Sequence, residues 1–321
     1  MSKLRRLTLF LLAFAIGLCG LHLAIGNGLR RIRTGMFGAY NRAAAGAVNA
    51  DLIVTGSSRA LVHYDPAILT RTTGMSAFNL GRIGAGANAH TAILRAYLHN
   101  NRRPRLLIEN ADLSTLQVIS SLVDPPEYTP YLDEPGLYNT LLRRYPQIRR
   151  MRYLPLYGYV VNDAEFRHYL GLKAWFGIQP PEDYENGFQA RHELWLRTFD
   201  RIKASGQRFH FEPEPEGVRD FEALLADARS RGIAAVVVFS PVYREYLDLV
   251  DGRTELMSAI AAAAARQKAR FVDFSSFMPI AGSTEYFVDH LHMNSRGAAA
   301  FSEALGKWLL WGGSPDPRPV P

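Results

Sequence analysis

Five short apolar runs, alternating with four stretches of helical spacing, constrain this chain more than any other feature. They are Asp51–Thr55 (DLIVT), Ser76–Leu80 (SAFNL), Leu106–Glu109 (LLIE), Ala234–Phe239 (AAVVVF) and Arg270–Phe274 (RFVDF). Runs this short, with no alternating polar residues, read as strands covered on both faces. Apolar residues then recur at three- and four-residue intervals over 93–98, 218–228, 256–265 and 301–309. This alternation predicts an α/β fold: a doubly wound, parallel, five-stranded sheet with helices on both faces. Ligands of such sheets sit beyond the carboxyl ends of the strands, so chemistry is expected just after each run.

A different pattern precedes the first strand. Leu7–Ile25 (LTLFLLAFAIGLCGLHLAI) contains no Asp, Glu, Lys or Arg. A helix of about 20 apolar residues spans a hydrocarbon layer. A cleaved signal peptide is the competing reading, but the run exceeds the usual h-region and no small-x-small cleavage site follows. Lys3, Arg5, Arg6, Arg30, Arg31 and Arg33 flank the run and supply six of the seven excess positive charges. The body is therefore nearly neutral, which argues against a nucleic-acid partner. A domain behind a short N-terminal anchor is expected on the extracytoplasmic side. The single cysteine, Cys19, lies inside the run and excludes an internal disulfide or a Cys-based zinc site.

Residues 1–33 thus read as a membrane anchor with basic flanks and 34–311 as the α/β domain. Residues 312–321 read as a Pro-rich tail. Between the third and fourth strands, residues 120–215 lose the strand–helix rhythm and hold nine of the 15 tyrosines. This insertion, expected to be largely helical, either buries its tyrosines or forms a lid whose rings and Arg groups meet a substrate such as a sugar chain.

Two blocks can carry chemistry. Gly56-Ser57-Ser58-Arg59 follows the first strand, where a tight turn exposes a hydroxyl at a helix start. Asp289-His290-Leu291-His292 precedes the last helix, and an Asp three residues before a His can orient its imidazole. Each block has a bland reading as a helix cap, and Asp289, His290 and His292 also suit a metal. A glycine-rich turn, Gly81-Arg82-Ile83-Gly84-Ala85-Gly86, followed by Glu109 on the next strand, offers a dinucleotide-binding alternative, although its spacing is not G-x-G-x-x-G.

The order of these blocks, with Asn79-Leu80-Gly81 after the second strand and Asn110 after the third, resembles the SGNH (GDSL-like) hydrolase superfamily. The resemblance is strongest to its membrane-anchored bacterial branch, which includes relatives of the D-alanyl transfer protein and of exopolysaccharide O-acetylation proteins. It covers residues 51–115 and 230–310. It implies a flavodoxin-like SGNH domain with Ser58 as nucleophile, His292 as base and Asp289 as orienter. Ser57 competes with Ser58. The oxyanion hole would use the N–H groups of Ser58 and Gly81, with Asn110 as a further donor. Arg59 and Arg82 are candidate substrate contacts. The chemistry implied is acyl-ester hydrolysis or O-acyl transfer on a cell-envelope or exported polysaccharide, with an acyl donor, a glycan acceptor and no cofactor or metal. A membrane-bound acyltransferase is a candidate partner. The block Glu109-Asn110-Ala111-Asp112 departs from the family's Gly-x-Asn-Asp, which keeps open an inactive scaffold in a polysaccharide modification or export complex.

Overall fold

The computed structural model describes residues 2–161, 168–181 and 184–311; the tail 312–321 lies outside the described residues. Five parallel strands form one sheet: β1 (Leu52–Thr55), β2 (Ala77–Asn79), β3 (Leu106–Ala111), β4 (Ala234–Phe239) and β5 (Arg270–Asp273). Their spatial order is β2-β1-β3-β4-β5, the flavodoxin-like doubly wound order. All four pairings are parallel, with Leu52 opposite both Ala77 and Leu106, Leu106 opposite Ala234, and Val236 opposite Arg270.

The side-chain alternation of the strands divides the core in two. Leu52, Val54, Ile108, Val236 and Val238 face helices α4 (Pro66–Thr73) and α10 (Ser295–Leu310), where they meet Leu69, Phe301 and Leu305. Ile53, Phe78 and Leu107 face α5 (Ala87–Asn100), α6 (Pro135–Arg144) and α8 (Pro215–Ser230). Val237 and Phe239 share that opposite face with α9 (Arg253–Arg266). Helix α4 has no periodic apolar stripe, but its punctuation is legible. Asp65 accepts from the Ala67 and Ile68 N–H groups, Pro66 opens the helix, and Gly74 closes it at φ 72°.

At the N-terminus, α1 (Lys3–Leu29) is, among the described residues, the one helix long and apolar enough to cross a membrane. Most of it is exposed, and only its last turns are covered. The Ala-rich stretch after Arg33 forms α2 (Gly35–Ala44). The insertion is mostly short helices, among them α6 and α7 (His168–Ala174). It buries Tyr128, Tyr131, Tyr138, Tyr145 and Tyr159 and exposes Tyr153 and Tyr169.

Candidate active site

The first strand leaves the sheet through Gly56, at φ 142°, a conformation that only glycine adopts readily. A Cβ there would also fall 2.8 Å from Ala60 Cβ and 2.9 Å from Asn110 Cβ. This turn carries the chain straight into α3 (Ser58–His63), with Ser57 as its N-cap. Ser58 is therefore the first residue of a short helix, and its N–H belongs to the first turn, which a helix leaves unpaired.

Ser58 Oγ lies 2.8 Å from His292 Nε2. On the other side of the ring, His292 Nδ1 lies 2.9 Å from Asp289 Oδ2 and 3.0 Å from Oδ1. With Nδ1–H donating to the carboxylate, Nε2 is left to accept the Ser58 hydroxyl proton. Asp289 is itself fixed by the N–H groups of Leu291 and His292, at 2.8 and 2.9 Å. Burial would raise its carboxyl, but the His292 hydrogen bond and charge, with those two N–H groups, outweigh burial and hold it at about 2. The loop is tied at both ends: Val288 N–H donates to His292 O, and Asn294 caps α10 by accepting from Arg296 and Gly297. Ser57 is engaged elsewhere, donating to Asp112 Oδ2 at 2.5 Å.

A second layer that the sequence reading missed supports this turn. His63 Nε2 accepts the Met293 N–H at 3.0 Å, next to His292, and its Nδ1 meets Ser240 Oγ at 2.8 Å. Burial, then the Arg59 and His292 charges, lower the His63 pKa well below the ordinary histidine value, so the ring is neutral. Nothing in the spacing of His63 or Ser240 marks them, since neither adjoins a motif.

Several expected roles are corrected by the geometry. The Gly81 N–H already donates to Asn79 Oδ1 at 2.8 Å, so it is not aimed at the cleft beside Ser58. Asn110 is held inside the sheet layer, where its Oδ1 accepts the Tyr64 hydroxyl at 2.7 Å and its Nδ2 is sealed from solvent. Arg82 is buried, with Nε 3.8 Å from Glu127 Oε2 and its guanidinium 5.0 Å from the centre of the Tyr40 ring. Arg59 adjoins the cleft, but its guanidinium lies beneath the turn, donating to Ser240 Oγ at 2.9 Å and lying over Phe239. Neither arginine presents its charge to a substrate.

The metal and dinucleotide readings also fail on contacts. His290 turns away from His292 to lie 4.5 Å from the Tyr246 ring, and among the described residues no three His, Cys, Asp or Glu side chains gather as ligands. In the turn 81–86, Val123 and Ile119 occupy the space over Gly84 and Gly86: Cβ atoms there would fall 2.7 and 2.8 Å from them. Glu109, which would have to reach a ribose, is buried between Thr55 Oγ1 (2.6 Å) and His90 Nδ1 (2.8 Å).

The cleft at Ser58 measures about 190 Å³ and is walled by His292, Asp112, Ala85, Ile119, Phe211 and Leu291. A larger cleft of about 810 Å³ lies at the base of α1. It holds no such triad, so the chemistry is placed at the smaller one. Among the described residues, the insertion reaches the Ser58 cleft only near its end, through Phe211, while Ile119, just before the insertion begins, also lines it. None of the nine tyrosines lines it, so the lid reading fails for the Tyr-rich middle.

Residues 180–309 match the family model of the DltD protein. No curated protein matches the sequence. Among solved structures, the chain is similar to a GDSL-like lipase from Bacteroides thetaiotaomicron, at 13% identity over 82% of this chain and 88% of that one, with a TM-score of 0.38. It is also similar to a candidate acylhydrolase from Bacteroides fragilis, at 13% identity over 81% and 87%, with a TM-score of 0.36. Both scores are low, and the fold assignment rests on the sheet itself. The strand order, the Ser58–His292–Asp289 contacts and the match over residues 180–309 relate this chain to the SGNH (GDSL-like) hydrolase superfamily.

Proposed function

We propose that the protein is a membrane-anchored serine esterase or O-acyltransferase that acts on a cell-envelope or exported polysaccharide. α1 holds it as a single-pass protein of the inner membrane, with the domain on the extracytoplasmic side. The observation that carries this reading is the Ser58 hydroxyl 2.8 Å from His292 Nε2, with Asp289 on the other ring nitrogen.

In the reaction, His292 Nε2 takes the Ser58 proton as Oγ attacks the ester carbonyl, and the ionised Asp289 stabilises the imidazolium that forms. The Ser58 N–H, in the first turn of α3, is the backbone donor available to the oxyanion. His292 then returns the proton to the leaving alcohol. A glycan hydroxyl or water, deprotonated by the same ring, takes the acyl group from Ser58, and the ring returns that proton to the departing Ser58 Oγ. A cleft of about 190 Å³ is small beside the roughly 300–1,000 Å³ of sites for drug-sized ligands, and it suits a short acyl group with the sugar outside.

The test is turnover of a short-chain acyl ester, together with acylation of the surface polymer in cells. Ser58→Ala is expected to lower kcat by about 10⁴-fold or more, and Ser57→Ala by at most about tenfold. A scaffold role is the second reading, favoured by the diversion of Gly81 and Asn110 away from the cleft. Normal polymer acylation in Ser58→Ala cells would establish it and overturn the enzyme.

A further inference from the structure

Among the described residues, segments 120–161 and 168–181 of the insertion line no part of the Ser58 cleft and pack around one end of α1. The Leu156 N–H donates to His22 Nδ1 at 3.2 Å, and the Tyr159 ring lies 5.2 Å from the His22 ring. Trp175 Nε1 donates to Ala24 O at 2.8 Å. α1 and α7 meet backbone to backbone: a Cβ on Gly28 would fall 1.8 Å from Gly171 O. His22 and Ala24 both belong to the uncharged run Leu7–Ile25. The insertion therefore grips α1 at a height that overlaps the last turn of its apolar segment.

Around this grip the insertion turns apolar side chains outward. Tyr153 is 63% exposed, Val160 66%, Phe176 84% and Ile178 52%. Cations stand among them: the Arg31 guanidinium lies 3.9 Å from the Trp175 ring centre, Arg152 5.4 Å from that of Tyr153, and Lys173 4.7 Å from that of Tyr169. The 810 Å³ cleft at the base of α1 is lined by Arg30, Arg31, Arg33 and Arg42 and, among the described residues, by no acidic one. Aromatic rings, exposed aliphatics and arginines at the end of an apolar helix match the chemistry of the bilayer–water boundary. Anionic headgroups complement the arginines.

We propose that residues 120–161 and 168–181 form a collar seated in the interfacial layer of an anionic bilayer, with Tyr153, Val160, Phe176 and Ile178 among the headgroups and upper acyl carbons and Arg31 and Arg33 against lipid phosphates. This rests on the reading that α1 spans the bilayer. The collar would set the height and tilt of the domain, which a helix joined by a free linker would not.

The test uses the full-length chain with Cys19→Ser, reconstituted into phosphatidylglycerol/phosphatidylethanolamine vesicles and labelled with a fluorophore at one introduced cysteine. Phe176→Cys and Val160→Cys report the collar, Leu12→Cys the middle of α1, and Arg229→Cys the far surface of α8. Labels at 176 and 160 are expected to be quenched by shallow nitroxide lipids and shielded severalfold from iodide relative to 229. A Leu12 label quenched by deep nitroxide lipids, with 176 as open to iodide as 229, overturns the collar and leaves the span standing. A Leu12 label untouched by any lipid quencher overturns the span and the collar with it. Labels at 176 and 160 shielded from iodide and lipid alike mean that protein covers the surface, which also overturns the proposal. Equal quenching in pure phosphatidylcholine vesicles overturns the role given to the arginines.

Discussion

The turn at residues 56–59 and the insertion at 120–215 both leave the sheet at its carboxyl edge, and both are rich in polar side chains, but they face different partners. The turn places Ser58 against a loop that lies 234 residues away in sequence, at 2.8 Å. The insertion places two of its buried tyrosines against α1 and α2: Tyr131 donates to Asn41 Oδ1 at 2.6 Å, and the Tyr159 ring lies tilted 5.2 Å from that of His22. Position past a strand end brings a residue to the right edge of the sheet. Which surface it then meets is decided by the packing of whole elements.

The sharpest way to break this contrast is Asp289→Asn. The amide keeps the shape but favours the wrong His292 tautomer, so kcat is expected to fall about 10³–10⁴-fold, as in other serine triads. Steady-state turnover of the short-chain ester checks it. A loss below about tenfold would mean that the 2.9 Å contact is structural and not catalytic.

The opposite side of the contrast is tested at Gly171, where a Cβ would fall 2.4 Å from Ile25 O. Gly171→Val is expected to cost about 1–3 kcal/mol through overpacking, read as a lower denaturation midpoint in detergent. Its kcat on the ester is expected to stay within about twofold. A tenfold loss of kcat with an unchanged midpoint would show that the insertion is coupled to the chemistry.

Acid separates the two regions further. Unfolded His63 takes a proton near 6.5, and folded His63, buried, does so only well below that. As pH falls below 6.5 the unfolded state binds more protons, and stability declines by at most about 1.4 kcal/mol per pH unit from this group. His290, lowered by burial, adds a slope of the same sign. Burial also lowers the His90 pKa, but the Glu109 charge more than reverses this. His90 is thus protonated in both states below 6.5 and adds no slope there. Denaturation midpoints between pH 6.5 and 5 are expected to drop, and to drop less in His63→Gln. An unchanged slope in that variant would sever His63 from the support of the His292 loop.

The five strands were legible because each is a short apolar run, and the parallel, doubly wound sheet followed from their alternation with helices; the flavodoxin-like arrangement came only from the family resemblance. Ser58, Asp289 and His292 were legible because each motif is local: a glycine that forces the turn, and an Asp three residues before its His. The rest depended on which neighbour a buried group finds. Asn79 shows this best. Its amide donates to Ala60 O at 2.7 Å and Tyr64 O at 3.0 Å, and its Oδ1 takes the Gly81 N–H. The first two contacts tie β2 to α3 and its C-cap, the third folds the turn after β2, and no spacing rule shows them. The Arg82–Glu127 pair and the His63–Ser240 contact bring residues together across 45 and 177 positions, beyond any motif.

A small effect on rate is also expected at Asn110, and it separates a structural amide from an oxyanion donor. The Tyr64 hydroxyl is fully buried and donates to Asn110 Oδ1 at 2.7 Å. Asn110→Ala removes that acceptor and leaves a buried O–H unsatisfied, which costs about 1–3 kcal/mol of stability. If the amide has no part in the reaction, kcat should fall by less than about threefold at a temperature where the variant is folded. A donor to the oxyanion would instead cost about 10²–10³-fold in kcat. Tyr64→Phe completes the test, because it removes the same hydrogen bond from the other side and leaves the Asn110 amide in place. Equal loss of stability in the two variants, with kcat preserved in both, is the outcome expected of a purely structural pair. A large loss of kcat in Asn110→Ala alone would return Asn110 to the oxyanion hole and would require Nδ2, sealed from solvent here, to become accessible when an ester binds.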